Sequence, residues 1–235
     1  MWPVDAQSLI VEQRRLATAD PGPWRTPTGP LRLGACWVCF PRGLTGRGGA
    51  GDPAWAAALV MTDSRVVEQR VLTGVAGAGY AAGLLALRIG PLMQRAVDGL
   101  DARPDVLLLD ATGRDHPRGA GLALHLGAEL GVPTVGITHR PLLAQGGWPD
   151  DRRGATSLLR IRDTVVACWL RTKTGVRPLV VHAGWQVDLR TAVELVLSAS
   201  TRRTPEPLRR ARQRARRARA AAPAHGVRQR TDSEE

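Results

Sequence analysis

The chain has 235 residues and a mass of 25.2 kDa, a length that suits one domain with a full hydrophobic core and terminal extensions. Its net charge is +12, and its 43% of hydrophobic residues is ordinary for a soluble globular protein. The three cysteines argue against a disulfide framework, and no apolar run approaches the ~20 residues of a membrane-spanning helix. Because no N-terminal segment resembles a signal peptide, we predict a cytoplasmic protein.

The positive charge is concentrated near the C-terminus. Residues 202–230 contain eleven arginines and one glutamate, so this segment carries +10 of the net charge. Such a segment either binds nucleic-acid phosphates with release of counterions or forms a solvated helix of arginine and alanine. The sequence leaves both interpretations open.

In the first half of the chain, the hydrophobic pattern predicts a helix at 5–19 and three strands after it. Four prolines and two glycines within 21–30 end the helix. The strands are expected at 31–40, 54–62 and 66–72, as an antiparallel meander.

The second half alternates helices with strands, a pattern that indicates an α/β sheet with helices on its faces. The predicted helices span 84–100, 122–130, 192–199 and 208–222. The predicted strands span 106–110, 134–137, 157–162, 164–171 and 179–182. We expect one domain at 1–205, followed by an arginine-rich helix and tail at 206–235.

The segment at 104–118, with the sequence PDVLLLDATGRDHPR, carries the most information. An apolar strand ends in Asp110, a loop containing Gly113 follows, and His116 lies six residues after Asp110. Such a strand delivers a carboxylate to the C-terminal edge of a sheet, next to a basic loop. We therefore predict a functional site at this edge.

With its flanks, this segment resembles the endonuclease V family, ribonuclease-H-like nucleases that cut nucleic acid near deoxyinosine or inosine. Residues 83–88 (GLLALR) are similar to the family motif P-G-[FL]-L-[SA]-F-R, and 104–118 to P-D-[LV]-x-x-x-D-G-x-G-x-x-H-P-R. Further matches follow in order at 121–127, 132–137, 171–175 and 204–207. The resemblance covers residues 5–210. It implies an α/β fold with a ribonuclease-H-like mixed sheet flanked by helices, followed by a basic C-terminal extension.

The resemblance also implies hydrolysis of a phosphodiester by water, with Mg²⁺ held by carboxylates. The family has three carboxylates, a lysine and two histidines at its site, and this chain retains Asp110 and His116 among these six positions. The other four positions carry Trp37 for an aspartate, Ile89 for a glutamate, His139 for the lysine and Trp185 for the second histidine. The catalytic candidates are therefore Asp110, His116 and His139.

The large apolar side chains of Trp37 and Ile89 cannot ligate Mg²⁺, a hard cation that requires oxygen ligands. Asp110 is then the single carboxylate left for a metal, and a lone buried aspartate tends to take up a proton. Nothing in the sequence places Asp115 or Asp188 at the lost positions. We expect hydrolysis to be lost or weak.

Recognition in this family implies flipping of the target base into a pocket, with a tyrosine wedge that fills the gap. Tyr80 aligns with the wedge, whereas core packing is the ordinary role of a lone tyrosine, and both interpretations remain open. The pocket walls correspond to Gly83, Leu85, Ala111, Gly121, Leu122 and Gly136. Ala111 stands where the family has glycine, which adds a methyl group to the pocket. Phosphate contacts, which position a protein on nucleic acid, are expected from Arg88, Arg114 and Arg118.

Three functions remain open. The first is binding of inosine-containing, deoxyinosine-containing or damaged DNA or RNA without strong hydrolysis, and this is our prediction. The second is an active Mg²⁺-dependent endonuclease of DNA repair. The third is a protein-interaction module in which Trp37, Ile89 and Trp185 either fill the former metal cavity with apolar bulk or offer an apolar surface to a protein partner.

Overall fold

The computed structural model describes residues 2–44 and 46–222, which form five helices and eight strands. The helices are α1 (Ala6–Thr18), α2 (Leu85–Asp98), α3 (Leu122–Leu130), α4 (Leu189–Ser198) and α5 (Glu206–Ala221). The strands are β1 (Leu33–Cys39), β2 (Pro53–Thr62), β3 (Arg65–Val75), β4 (Val106–Leu109), β5 (Thr134–Thr138), β6 (Thr156–Ile161), β7 (Thr164–Leu170) and β8 (Leu179–Ala183). Each of these corresponds to an element predicted from the sequence. In this described part of the chain, no helix is both long and apolar enough to cross a lipid bilayer.

All eight strands form one mixed sheet in the order β3-β2-β1-β4-β5-β8-β7-β6. Strands β1, β2 and β3 pair as the predicted antiparallel meander. Strand β4 lies parallel to β1 on one side and to β5 on the other, whereas β6, β7 and β8 continue the sheet antiparallel. The carboxyl ends of β1, β4 and β5 therefore meet at one edge of the sheet, where Asp110 follows β4.

Helices cover both faces of the sheet. Leu107 and Leu109 belong to the apolar cluster with α2 and α3, whereas Leu108 belongs to the cluster with α4 and α5. All three side chains are fully buried, and burial of each contributes roughly 1.5–3 kcal/mol. Because β4 is covered on both faces, its sequence is a continuous apolar run instead of an alternating one.

Helix α5 is part of this packing. It lies against β1 and β2, and its residues Leu208, Ala211 and Ala215 are buried in the apolar clusters. The helix predicted as an extension beyond residue 205 thus belongs to the packed domain. The remainder of the predicted tail, 223–235, lies outside the described residues.

Local sequence signals set where the helices next to the site begin and end. Asp5 caps α1, because its Oδ1 accepts the backbone N–H of Ser8 at 2.8 Å. Helix α1 lies against α2 and α3 and buries Gln13. Helix α3 ends at Gly131, whose φ of 60° is the left-handed conformation that glycine adopts without a steric cost.

Candidate functional site

A small cavity opens beside the carboxyl end of β4, where the sequence predicts the site. Its volume is about 170 Å³, below the ~300–1,000 Å³ of pockets for drug-sized ligands, so it suits one small ring system. Its lining includes seven of the predicted site residues: Asp110, His116, Tyr80, Gly83, Leu85, Ala111 and Leu122. The sequence does not indicate the other lining residues, Gln13, Ala82, Ala86, Thr112, Thr138 and Leu142.

A larger groove, of about 510 Å³, lies at the opposite edge of the sheet, between the start of β1 and the start of α5. Its lining contains none of the predicted site residues. Glu206 in this groove is already paired with Arg209 at 2.6 Å and with Arg210 at 2.8 Å. The smaller cavity is therefore the one that carries the predicted chemistry.

The carbonyl oxygen of Gly83 accepts hydrogen bonds from three side chains at the cavity wall. Nε2 of Gln13 donates at 2.9 Å and Nη2 of Arg118 at 2.7 Å. The third donor is Nε2 of His116, at 3.1 Å. Gly83 has a φ of +75°, and a Cβ at this position would lie 2.8 Å from Nη2 of Arg118. Glycine is therefore the residue that forms this wall without strain.

His116 is a neutral ring in this arrangement. Burial lowers its pKa to about 4, and the positive charge of Arg118 acts in the same direction. The backbone N–H of Arg118 donates to Nδ1 of His116 at 3.3 Å, so the ring proton lies on Nε2 and points to Gly83. Both ring nitrogens are thus used within the protein, and the predicted catalytic histidine holds the cavity wall in place.

Arg88 is buried, with 5% of the residue exposed. Its Nη1 donates to the carbonyl oxygens of Gly49 at 3.0 Å and Ala78 at 2.6 Å, and its Nη2 pairs with Asp52 at 2.8 Å. The guanidinium also lies 4.2 Å from the centre of the Phe40 ring. This corrects the expectation of a phosphate contact, because a buried guanidinium requires such internal partners. Arg88 instead holds the loop before β2 against α2.

The other two predicted phosphate contacts are half-buried. Nη1 of Arg114 donates to the carbonyl oxygen of Ala17 at 2.6 Å, and Nε of Arg118 donates to Oε1 of Gln13 at 2.5 Å. Both bonds fasten the loop after β4 to α1. Each guanidinium has further N–H donors, so phosphate contacts by Arg114 and Arg118 stay predictions.

Gly121 and Gly136 lie behind the cavity wall. A Cβ at Gly121 would lie 2.3 Å from Oγ1 of Thr112, and a Cβ at Gly136 would lie 2.4 Å from the carbonyl oxygen of Ala111. The two glycines therefore let the backbone after Asp110 approach α3 and β5 closely. They shape the cavity from outside and do not line it.

Asp110 stands at the cavity edge and is exposed to solvent. The protein around its carboxylate restricts hydration and raises its pKa to about 6, while the positive charge of Arg212 acts in the opposite direction. Arg212 belongs to α5, and its guanidinium lies over the Trp37 ring, 5.2 Å from the centroid. His139 is close to the same cation: burial lowers its pKa, and Arg203 and Arg212 lower it further.

The residues at this edge do not fit a divalent cation. Trp37 packs against the cluster on the α4 and α5 side of the sheet, whereas Ile89 packs against the cluster on the α2 and α3 side. Asp110 is the carboxylate left, and Arg212 adds a positive charge that repels a metal ion. Within residues 2–44 and 46–222, no three His, Cys, Asp or Glu side chains are grouped as metal ligands.

The two carboxylates considered as replacements are used elsewhere. Asp115 is fully buried and accepts three successive backbone N–H groups, those of residues 142, 143 and 144, at 2.7, 2.8 and 2.9 Å. Asp188 caps α4, where its Oδ1 accepts the backbone N–H of Thr191 at 2.9 Å. Each carboxylate thus has a structural role of its own.

Trp185 lies at the opposite edge of the sheet. Because β8 runs antiparallel to β5, the end of β8 meets the beginning of β5. The carbonyl oxygen of Trp185 accepts the N–H of Thr134 at 3.0 Å, and the N–H of Trp185 donates to Oγ1 of Thr134 at 2.8 Å. Trp37 and Ile89 pack on opposite faces of the sheet and Trp185 lies at its other edge, so these three side chains do not fill one cavity together, contrary to the expectation.

Two of the residues that the sequence does not indicate, Gln13 and Arg212, act directly on the predicted site residues. Gln13 is 2% exposed, and its signal is a polar residue between Leu9 and Leu16 on the apolar side of a helix. Arg212 follows the buried Ala211 on α5. One arginine among many gives no such signal, so only the packing of α5 on the sheet reveals it.

Both the sequence and the fold are similar to known proteins. The sequence model of the endonuclease V family matches residues 46–213. Endonuclease V from Methanothrix thermoacetophila is 41% identical over 163 residues, which cover 68% of this chain and 73% of that protein. The crystal structure of endonuclease V from Streptomyces avermitilis matches with a TM-score of 0.82 at 32% identity, over 92% of this chain and 94% of that chain.

A further solved structure is that of Ciona intestinalis endonuclease V in complex with a 24mer DNA containing an inosine followed by a ribo-adenosine. It matches with a TM-score of 0.76 over 90% of this chain and 96% of that chain. At 20% identity this likeness concerns the fold, which is the ribonuclease-H-like mixed sheet expected from the sequence.

Proposed function

The chain belongs to the endonuclease V family, and from this premise we propose that it binds DNA or RNA that contains inosine, deoxyinosine or a damaged base. We propose that the flipped base enters the cavity beside Asp110, and that hydrolysis of the phosphodiester is lost or weak. The ligand class is supported by the Ciona relative, which was solved with inosine-containing DNA.

The cavity is the observation that carries this proposal. Leu85 and Leu122 provide apolar walls for a flat ring, and the Gly83 wall is held by three hydrogen bonds. A pocket fixed before binding loses little conformational entropy when the base enters. Extrusion of a base from a duplex leaves a gap, and Tyr80 at the cavity rim is 50% exposed and available to stack in it.

The loss of hydrolysis is proposed from the charges around Asp110. Metal-dependent phosphodiester hydrolysis needs a cation held by several oxygen ligands. Here Asp110 is accompanied by Trp37 and Arg212 instead of further carboxylates. His116 is engaged with Gly83 and Arg118 through both ring nitrogens, which leaves it no free nitrogen for proton transfer in this conformation.

The proposal is tested by fluorescence anisotropy with short labelled oligonucleotides that carry one central inosine or, as a control, guanosine. Duplex and single-stranded DNA and RNA are compared at low salt. We expect preference for inosine and a loss of roughly tenfold in affinity for Tyr80→Ala, since stacking of one base is worth about 1–3 kcal/mol. Trp148→Ala, at an exposed residue outside the cavity lining, is the matched control. Equal affinity for inosine and guanosine contradicts the recognition proposal.

An active Mg²⁺-dependent endonuclease is the second candidate, because Asp110 and His116 line the same cavity. The same oligonucleotides, incubated with Mg²⁺ or with EDTA and separated on a denaturing gel, distinguish the two. Cutting that stops in EDTA and in Asp110→Ala would establish the enzyme. We expect intact substrate in both conditions.

A further inference from the structure

We infer that Arg212 is a phosphate-binding residue that receives a backbone phosphodiester of the nucleic acid next to the base cavity. The Arg212 guanidinium then supplies positive charge at this edge of the sheet, where the described residues form no site for a metal ion. The inference rests on the proposed function, because it specifies how the bound nucleic acid is held beside its flipped base.

Arg212 is held in place, but its guanidinium is not fully hydrogen-bonded within residues 2–44 and 46–222. Its guanidinium lies over Trp37 at 5.2 Å from the ring centroid, which restrains the plane of the group. Its Nε is buried and has no hydrogen-bond acceptor among the described residues. Arg212 is half-buried, whereas Arg88 and Arg171, the two buried arginines among the described residues, both donate to backbone carbonyls.

Helix α5 places the Arg212 side chain beside a buried apolar surface. Leu208, Ala211 and Ala215 of α5 face the sheet and are buried. Arg212 is adjacent to this apolar stripe and points its charge to the carboxyl end of β1, where a charged group is costly without a partner. A bound anion removes that cost.

Other ionisable groups lie within electrostatic reach of Arg212. Arg212 acts electrostatically on Asp110, which lines the cavity, and on His139, which follows β5. Arg203 acts on His139 as well. An anion at Arg212 therefore lies near a region where the Arg203 guanidinium adds positive charge and the Asp110 carboxylate at the base cavity adds negative charge. A phosphodiester carries one negative charge and two free oxygens, which match the paired N–H donors of an arginine.

The test is a double-mutant cycle between the protein and the oligonucleotide. Binding of an inosine-containing strand is measured by anisotropy for wild type and Arg212→Ala. A second set of strands carries a neutral methylphosphonate at one linkage on either side of the inosine, one position per strand. We expect Arg212→Ala to weaken binding roughly tenfold, and one methylphosphonate position to weaken wild type similarly while leaving Arg212→Ala unchanged. For a duplex, the slope of log affinity against log salt should fall by about 0.9.

Arg217→Ala is the matched control, because Arg217 is an exposed arginine on the same helix. We expect it to change affinity less than twofold and to retain the methylphosphonate effect. Arg212→Lys keeps the charge without the planar fork, so it should recover part of the affinity. Circular dichroism and thermal melting of each variant verify the fold.

Two failures are distinguishable. If wild type binds the inosine strand and Arg212→Ala binds it equally, or if the losses from Arg212→Ala and every methylphosphonate are additive, the phosphate site is refuted and the proposed function stands. If wild type binds none of the strands at low salt, the proposed function itself is refuted, and the inference with it.

Discussion

The carbonyl oxygen of Gly83 lies 3.1 Å from Nε2 of His116, and this hydrogen bond joins the loop before α2 to the loop after β4. Gln13 and Arg118 donate to the same oxygen. His116, which is expected from the sequence to transfer protons, is therefore part of the rigid cavity wall at Gly83. The wall shapes the cavity that we propose for the flipped base.

We expect Gly83→Ala to destabilise the protein by about 1–3 kcal/mol, because the φ of +75° and the contact with Arg118 both oppose a side chain. Urea denaturation followed by circular dichroism measures the change. Gly175 has a similar φ of +76°, and no atom lies within 4 Å of an added Cβ there. Gly175→Ala therefore measures the cost of the backbone conformation alone. Gly147 has neither a positive φ nor an atom within 4 Å of an added Cβ, so Gly147→Ala should change the free energy of unfolding by no more than about 0.5 kcal/mol. Equal effects of all three would contradict the role of the Gly83 wall.

Asp115→Asn is expected to destabilise the protein by roughly 2–3 kcal/mol. The fully buried carboxylate accepts three N–H groups with its two oxygens, whereas the amide keeps one acceptor oxygen. Hydrogen exchange of the amides at 142–144 should accelerate with it. Asp188→Asn makes the same chemical change at an exposed helix cap, where asparagine serves nearly as well as aspartate. A loss for Asp188→Asn as large as that for Asp115→Asn would contradict this assignment.

Stability should fall between pH 6.5 and pH 4. Burial lowers the pKa of both His116 and His182 to about 4, below the ordinary value of 6.5. As the pH falls through this window, the unfolded chain takes up protons that the folded protein does not bind, so unfolding becomes more favourable. We expect each histidine to lower the free energy of unfolding by at least ~1 kcal/mol across this pH window, measured by urea titrations at several pH values. His182→Leu should flatten the profile, and an unchanged profile would contradict the prediction.

Restoring the lost carboxylates should not by itself restore a metal site. In Trp37→Asp with Ile89→Glu, the new aspartate faces Arg212 and pairs with it instead of binding Mg²⁺. We expect no heat of Mg²⁺ binding for this double variant in calorimetry. A triple variant that adds Arg212→Ala removes the competing cation, and any heat it shows should vanish when Asp110→Ala is added. Saturable Mg²⁺ binding by the double variant would refute the competing role of Arg212.

Much of the fold follows from local patterns. The apolar run of β4 predicts a strand buried on both faces, and Gly131 predicts the end of α3, because periodicity and steric preference act within a few residues. The motif around Asp110 and His116 likewise predicts the edge at which the cavity lies.

The rest depends on contacts between distant segments. Whether Arg88 meets a phosphate is decided by Asp52 and two backbone carbonyls that the fold brings to it. The position of Trp185 is decided by the antiparallel pairing of β8 with β5. The residues that contact Arg88 and Trp185 are distant from them in the sequence, so local patterns do not predict these contacts.

By itself, the sequence determined the family and the order of helices and strands, and it predicted the loss of carboxylates at Trp37 and Ile89. These are properties of residue type and spacing along the chain. Only the tertiary structure decided that His116 secures Gly83 and that α5 brings Arg212 to Trp37 beside Asp110. Hydrogen bonds and charges act through space over a few ångströms, so the chemistry of this edge is set by which segments pack together.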